Sequence, residues 1–354
     1  MDPSSGAAWW SVPSRSEAAP GPNGPTGGKV NLSMKPLVGV LKDSGLFRNY
    51  GITGAEIEER ELCDFSVTLV DGQPCKSMED LIALIAWDKP SIDRAMIDAL
   101  ASCRLIVRNG VGVDNVDLTY AGLKGVEVRN VKDYGTEDVA LHSLSLILHA
   151  YRRLSLGNDR IILKRQWDSS HLRETHEPAK FRIGIVGFGR IGQRVADLLA
   201  GLGFRISFFD PYVTYSVYPR VDMVQIADCD LVSIHCALSG DTEGLIGDAF
   251  FRRVQRPIMI VNTSRGKIID FQALRKADSK LAFLGTDVLP LEPPFNDRRL
   301  FSYLKQLVRE GRALLSPHCA FYNLESIARM RIMSCEIVKN YFSEKESPAG
   351  RAAV

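Results

Sequence analysis

The sequence predicts an α/β fold with two parallel-sheet domains. Three observations carry that prediction: a complete strand–turn–helix–strand unit at 181–212, short apolar runs alternating with polar or helical segments on either side of it, and polar residues clustered directly after those runs. In the unit, 183–186 is an apolar run of buried-strand length, followed by Gly187-Phe188-Gly189-Arg190-Ile191-Gly192. Ile191, Val195, Leu198, Leu199 and Leu202 then recur at helical spacing, Gly203 stops the helix, and 206–209 leads into Asp210. Glycines mark turns everywhere, so it is the order of elements around them that points to a dinucleotide. Gly187 allows the tight turn, Gly189 lets a pyrophosphate approach the backbone, and Gly192 lets the helix pack close to the sheet. The amides of Arg190 and Ile191 face an anion at the helix N-terminus. Asp210 is placed to accept from both ribose hydroxyls and repels a 2′-phosphate by roughly 1 to 4 kcal/mol, so the expected cofactor is NAD(H) rather than its phosphorylated form.

The rest of the chain extends the pattern in both directions. Residues 1–33 are rich in Pro, Gly, Ser and Ala, with Trp9 and Trp10 their large apolar residues; they read as a disordered leader, with Met34 an alternative start. Strands are expected at 36–41, 66–70, 81–86, 104–108 and 126–128, with a helix at 91–101. The glycine-bearing run from Arg108 to Asn115 follows a strand, where it can turn backbone amides outward to receive a carboxylate or serve only as a tight turn. Residues 136–153 have an acidic first turn and basic end, a helix suited to a hinge; His142 and His149 within it read as packed or solvated. A polar surface connection is expected at 168–180, and a helix within 293–311. Further strands are expected at 231–235, 257–261, 282–286 and 313–315.

Composition excludes several classes of partner. With 45% hydrophobic and 24% charged residues and a net charge of +2 spread along the chain, nothing forms the basic face that nucleic acid or a membrane surface needs. The longest apolar stretch, near 141–150, is too short to span a bilayer. Seven cysteines without a CxxC pair or paired spacing with histidine predict no metal site and reduced thiols in a cytoplasmic protein.

Chemistry is expected where strands end, because ligands of open α/β sheets bind there. His235-Cys236, the run Asn262-Thr263-Ser264-Arg265-Gly266, the stretch from Asp287 to Glu292, and Pro317-His318 all occupy such places. Reducing a 2-keto acid requires a cation for the carboxylate and carbonyl and an acid for the forming alkoxide. Arg265 is a planar fork suited to the first task. His318 suits the second, an imidazole having a reference pKa of about 6.5, near working pH. Glu292 can orient that ring and favour its charged form.

Taken together, NTSRG, DVLPLEP, SPH, RNGVGVDN and the GFGRIG turn ending in FFDPY resemble the D-isomer-specific 2-hydroxyacid dehydrogenases from Met34 to about residue 345. NVKDYGTEDVALHSLSLILHAYRRL and PHCAFY most resemble the branch with C-terminal-binding-protein-like members. The resemblance implies two Rossmann-like doubly wound parallel-sheet domains, the NAD-binding one (134–318) inserted into a flavodoxin-like substrate domain (34–133 with 319–350), and a homodimer. It implies Arg265, Glu292 and His318 as the catalytic trio, Asp287, Cys236 and Thr263 beside the nicotinamide, and backbone at Val111 and Gly112 on the substrate carboxylate. Trp87 and Arg108 are expected in the substrate pocket; Trp87 stands where phosphoglycerate-oxidising relatives place an arginine, and no regulatory domain follows residue 350, both of which point to a different acid. Ala237 and Lys132 replace frequent prolines and Phe321 a frequent tryptophan, without removing a catalytic group. The leading expectation is an NAD-dependent oxidoreductase acting on a small 2-keto or D-2-hydroxy acid. The alternatives are an NADH-sensing corepressor-like binding protein and a dehydrogenase of a phosphonate or other specialised-metabolism acid.

Overall fold

A computed structural model describes residues 35–42, 52, 54–173 and 175–346. The expected leader, with Trp9, Trp10 and Met34, lies outside them. Two all-parallel sheets form. The first contains β1 (Leu37–Lys42), β2 (Ser66–Asp71), β3 (Leu81–Ala86), β4 (Leu105–Arg108) and β5 (Glu127–Asn130), in the order β2-β1-β3-β4-β5. The second contains β6 (Arg182–Val186), β7 (Arg205–Phe209), β8 (Leu231–Ile234), β9 (Ile258–Asn262), β10 (Leu281–Thr286) and β11 (Ala313–Leu315), in the order β11-β10-β9-β8-β6-β7. Each order reverses once, at β1/β3 and at β6/β8, opening a crevice beyond the carboxyl ends of those strands.

Alternation along the strands supplies both faces of each sheet. Ile183 and Ile185 join the core beneath the helices Thr136–Arg152 and Arg190–Gly201, whereas Val186, Val232, Ile234, Ile258 and Ile260 pack on the opposite face. A sheet buried on both sides needs the continuous apolar runs seen in the sequence. In the first sheet, Val38 and Val40 meet Cys335, Val338, Tyr341 and Phe342 of the last helix, Leu324–Glu346, so the chain's end returns to its beginning.

The two crossings between sheets lie side by side. The ring of Tyr134 meets that of Phe321 edge-on at 6.0 Å, Arg329 Nη1 donates to the Tyr134 carbonyl at 2.7 Å, and the Asn323 amide donates to Asp138. The last helix is also pinned by a buried ion pair: Arg331 Nε and Nη2 reach Glu58 Oε1 and Oε2 at 2.8 and 2.5 Å.

Several boundaries differ from expectation for local reasons. The helix expected at 91–101 shrinks to Arg94–Ala99, because the Asp93 side chain accepts from the Met96 amide and caps it, while Ile92 bridges to Val116. The hinge helix stops at Arg152 where Arg153 turns left-handed, and an unanticipated helix, Leu154–Ile162, follows. Within 293–311 the helix is Arg298–Arg309, capped by Asp297. The connection at 168–180 contains two single helical turns.

Glu58 is wholly buried, so removing its partner strands a charge in the core. Arg331→Met is expected to cost about 3–5 kcal/mol in urea unfolding, and adding Glu58→Leu to restore much of the loss.

Candidate active site

At the β6/β8 crevice, three glycines are required for three different reasons. Gly187 has φ +88°, and a Cβ there would lie 2.3 Å from the Cys236 amide nitrogen. A Cβ at Gly192 would lie 2.2 Å from the Gly187 carbonyl oxygen. A Cβ at Gly189 meets nothing within 4 Å, so the space in front of it is open to a ligand. The helix beginning at Arg190 has Gly189 as its cap and no side chain accepting its first amides, which suits a pyrophosphate. These features fit a dinucleotide.

Asp210, expected to meet the ribose, is tied into this turn: Oδ2 accepts from the Phe188 amide at 2.7 Å and Oδ1 from the Tyr212 and Val213 amides at 2.8 and 3.2 Å. Its carboxylate is thereby fixed at the end of β7. The Arg190 side chain turns away to the Lys132 carbonyl.

A cleft of about 570 Å³ runs between the strand ends of the two sheets. The first sheet lends it Trp87, Arg108, Val111 and Gly112; the second lends it Cys236, Thr263, Arg265, Asp287 and His318, with Ile191 at its edge. Gly187, Gly189, Arg190, Gly192 and Asp210 belong to the adjoining crevice rather than to this lining, and Glu292 stands behind His318.

Arg265 crosses the cleft. Its Nε donates to Asp114 Oδ1 at 3.0 Å and its Nη1 to the Ser264 carbonyl at 2.8 Å. Its Nη2 lies over Gly112, only 1.8 Å from where a Cβ would stand, so a side chain there would displace the guanidinium. Asp114 was not singled out in the sequence; burial opposes its charge, but Arg265 holds its carboxyl below the usual range.

His318 is backed by Glu292, with Nδ1 and Oε2 2.6 Å apart, and the other Glu292 oxygen accepts from the Leu289 amide at 2.8 Å. Burial pushes the Glu292 carboxyl up, yet the hydrogen bond and charge of His318, the Leu289 amide and Lys89 together hold it below the usual range. The carboxylate therefore persists into acid, and Nε2 is the ring nitrogen left to exchange a proton with a substrate.

Asp287 does more than its sequence position announced. It is 2% exposed; Oδ1 accepts from Ser316 Oγ at 2.5 Å and the Cys319 amide at 3.0 Å, Oδ2 from the Ala320 amide at 2.9 Å, and its own carbonyl from the His318 amide at 2.8 Å. His142 joins this network through Ser316 Oγ, 2.8 Å from its Nε2. Thr263 Oγ1 is 2.7 Å from Ser143 Oγ. Burial pushes the His235 imidazole down to about 3 and the Cys236 thiol up to about 11, which leaves both neutral. Among the described residues, no group of three or more His, Cys, Asp or Glu could hold a metal.

Two parallel sheets, a glycine crevice at the switch point and an adjoining polar cleft define an α/β enzyme that uses a dinucleotide. The model of the D-isomer specific 2-hydroxyacid dehydrogenase NAD binding domain matches residues 144–320. A glyoxylate reductase of Korarchaeum cryptofilum is 30% identical over 271 residues, covering 73% of this chain and 79% of that protein. A D-3-phosphoglycerate dehydrogenase of Archaeoglobus fulgidus is 27% identical over 266 residues, covering 73% of this chain but 49% of that protein. The crystal structure of a D-lactate dehydrogenase from Aquifex aeolicus, complexed with NAD and lactic acid, shares the fold with a TM-score of 0.75 at 21% identity, covering 87% of this chain and 96% of that one. The chain belongs to the D-isomer specific 2-hydroxyacid dehydrogenase family, as its motifs implied, and its cofactor is NAD(H).

The glycines separate cofactor binding from stability. Gly189→Ala should leave the melting temperature within about 2 °C of wild type while weakening NADH binding by roughly tenfold or more, read by nicotinamide fluorescence. Gly192→Ala, whose methyl meets backbone, should instead lower the melting temperature.

Proposed function

We propose that this enzyme reduces a small 2-keto acid to the D-2-hydroxy acid, or runs the reverse, with Arg265, Glu292 and His318 as its catalytic trio. The observation that carries the assignment is a carboxylate-backed imidazole sharing one cleft with a guanidinium that reaches over Gly112. The bound cofactor supplies the hydride in reduction and accepts it in oxidation. Arg265 Nη2 and the backbone at Val111 and Gly112 hold the substrate carboxylate, and the guanidinium draws density from the carbonyl. His318 Nε2 gives its proton to the new alkoxide oxygen, while Glu292 keeps the ring oriented through Nδ1. Cys236, Thr263 and Asp287 border the nicotinamide side; Trp87 and Arg108 line the side of the substrate's R-group. The domain division proposed is 34–133 with 319–350 for the substrate and 134–318 for NAD(H), which the return of the last helix to the first sheet supports.

The setting proposed is a cytoplasmic homodimer. No described helix is long and apolar enough to cross a membrane. Leu154, Ile161, Ile162, Leu163 and Trp167 expose apolar side chains along one short stretch of the NAD-binding half, a surface that a second copy would cover. Light scattering should give twice the chain mass, falling to one chain in Ile162→Glu.

A screen of 2-keto acids followed by NADH absorbance tests the reaction. Arg265→Ala and His318→Ala are each expected to lower turnover by at least roughly a hundredfold while NADH still binds. Near wild-type rates in both would place the chemistry elsewhere.

A further inference from the structure

The segment that carries Glu292 has little main chain with which to hold itself. Pro290, Pro293 and Pro294 lack an N–H, and among the described residues no amide of 289–294 donates to a main-chain carbonyl. One end of the segment rests on Gly266, where a Cβ would come within 1.9 Å of the Leu289 carbonyl carbon. The Leu289 amide goes to the Glu292 side chain, meeting Oε1 at 2.8 Å. The Glu292 carbonyl takes its donor from the other sheet: Lys89 Nζ, 203 positions away in sequence, at 3.0 Å.

Lys89 follows β3 and is exposed, yet its main chain is fixed. Asn115 Nδ2 donates to the Trp87 carbonyl at 2.9 Å and to the Pro90 carbonyl at 3.4 Å, the Pro90 ring packs against Gly72, and Ile92 bridges to Val116. The residue before Asn115 is Asp114, which holds Arg265. One platform of the first sheet thus reaches two members of the trio, Arg265 through Asp114 and Glu292 through Lys89. An exposed lysine loses side-chain entropy when its ammonium is held in one place, and a single exposed contact returns little stability. What this contact fixes is the main chain of the residue that backs His318. Burial opposes the Glu292 charge most, and Lys89 acts with the His318 hydrogen bond and charge and the Leu289 amide to hold the carboxyl below its usual range.

We propose that Lys89 is a positioning residue: by holding the Glu292 carbonyl from across the cleft, it seats the carboxylate against His318 Nδ1 and so aims Nε2 at the substrate. This rests on the reading of Glu292 and His318 as members of the trio, and one arm of its test does not depend on turnover.

The test compares Lys89→Met, which removes the donor at similar length, with Lys89→Arg, which keeps one, in the full-length protein. In protein isotope-labelled at histidine, the His318 Nδ1 proton is assigned by its loss in His318→Gln. That proton is expected to exchange with solvent at least roughly tenfold faster in Lys89→Met, the scale of a lost charge-assisted hydrogen bond, and near the wild-type rate in Lys89→Arg. With NADH and the fastest acid of a screen that includes glyoxylate and pyruvate, Lys89→Met is expected to lower kcat by roughly tenfold or more. KM for NADH should stay within about twofold, the melting temperature within about 2 °C, and Lys89→Arg should recover most of the loss. Unchanged proton exchange in Lys89→Met overturns the proposal without reference to activity. So does a fall in kcat that Lys89→Arg does not repair, or one matched by losses in KM and melting temperature, the mark of a merely structural role. Absence of turnover across the whole screen, with the expected change in exchange, rejects the dehydrogenase reading and leaves Lys89 as the residue that seats Glu292.

Discussion

A single buried carboxylate, Asp287, holds the second sheet's side of the cleft in shape. Its side chain and carbonyl together accept from Ser316 Oγ and from the amides of His318, Cys319 and Ala320. The segment they organise places His318 in a left-handed conformation, φ 55°, which a residue with a Cβ adopts only when its surroundings insist on it. The Asp287 amide in turn donates to the Asn262 carbonyl at the end of β9. The histidine is thus registered against the strand that delivers Arg265, although the two lie 53 positions apart in sequence, from 265 to 318.

The cleft is spanned by polar contacts as well as by the paired crossings. Arg265 meets Asp114 from the other sheet, and Lys89 Nζ donates to the Glu292 carbonyl at 3.0 Å. Both contacts connect a residue following a strand of the first sheet to a member of the trio. Any relative movement of the sheets about the Tyr134–Phe321 crossing would therefore act directly on Arg265 and Glu292.

The sequence disclosed whatever is written locally. Strands such as 81–86 and 313–315 were legible as apolar runs, and the glycine turn was legible because strand, helix and acid follow within about thirty residues. The arginine, glutamate and histidine were visible because each follows a strand. Asp114 was not, since the partner that gives it meaning stands 151 residues away. Ser316 and His142 were hidden for the same reason: they are joined across 174 residues, and helical periodicity assigns His142 only to a face, not to a partner. The shortening of 91–101 was missed because apolar spacing continues past the point where Asp93 claims the first amides for a cap.

The two arginines of the cleft differ in their surroundings. Asp114 partly neutralises Arg265 and fixes its Nε, leaving Nη2 over Gly112 outside the ion pair. Among the described residues Arg108 has no such companion at contact distance, and it is more deeply buried than Arg265, whose side chain is 24% exposed. Water screens Arg265 more than Arg108.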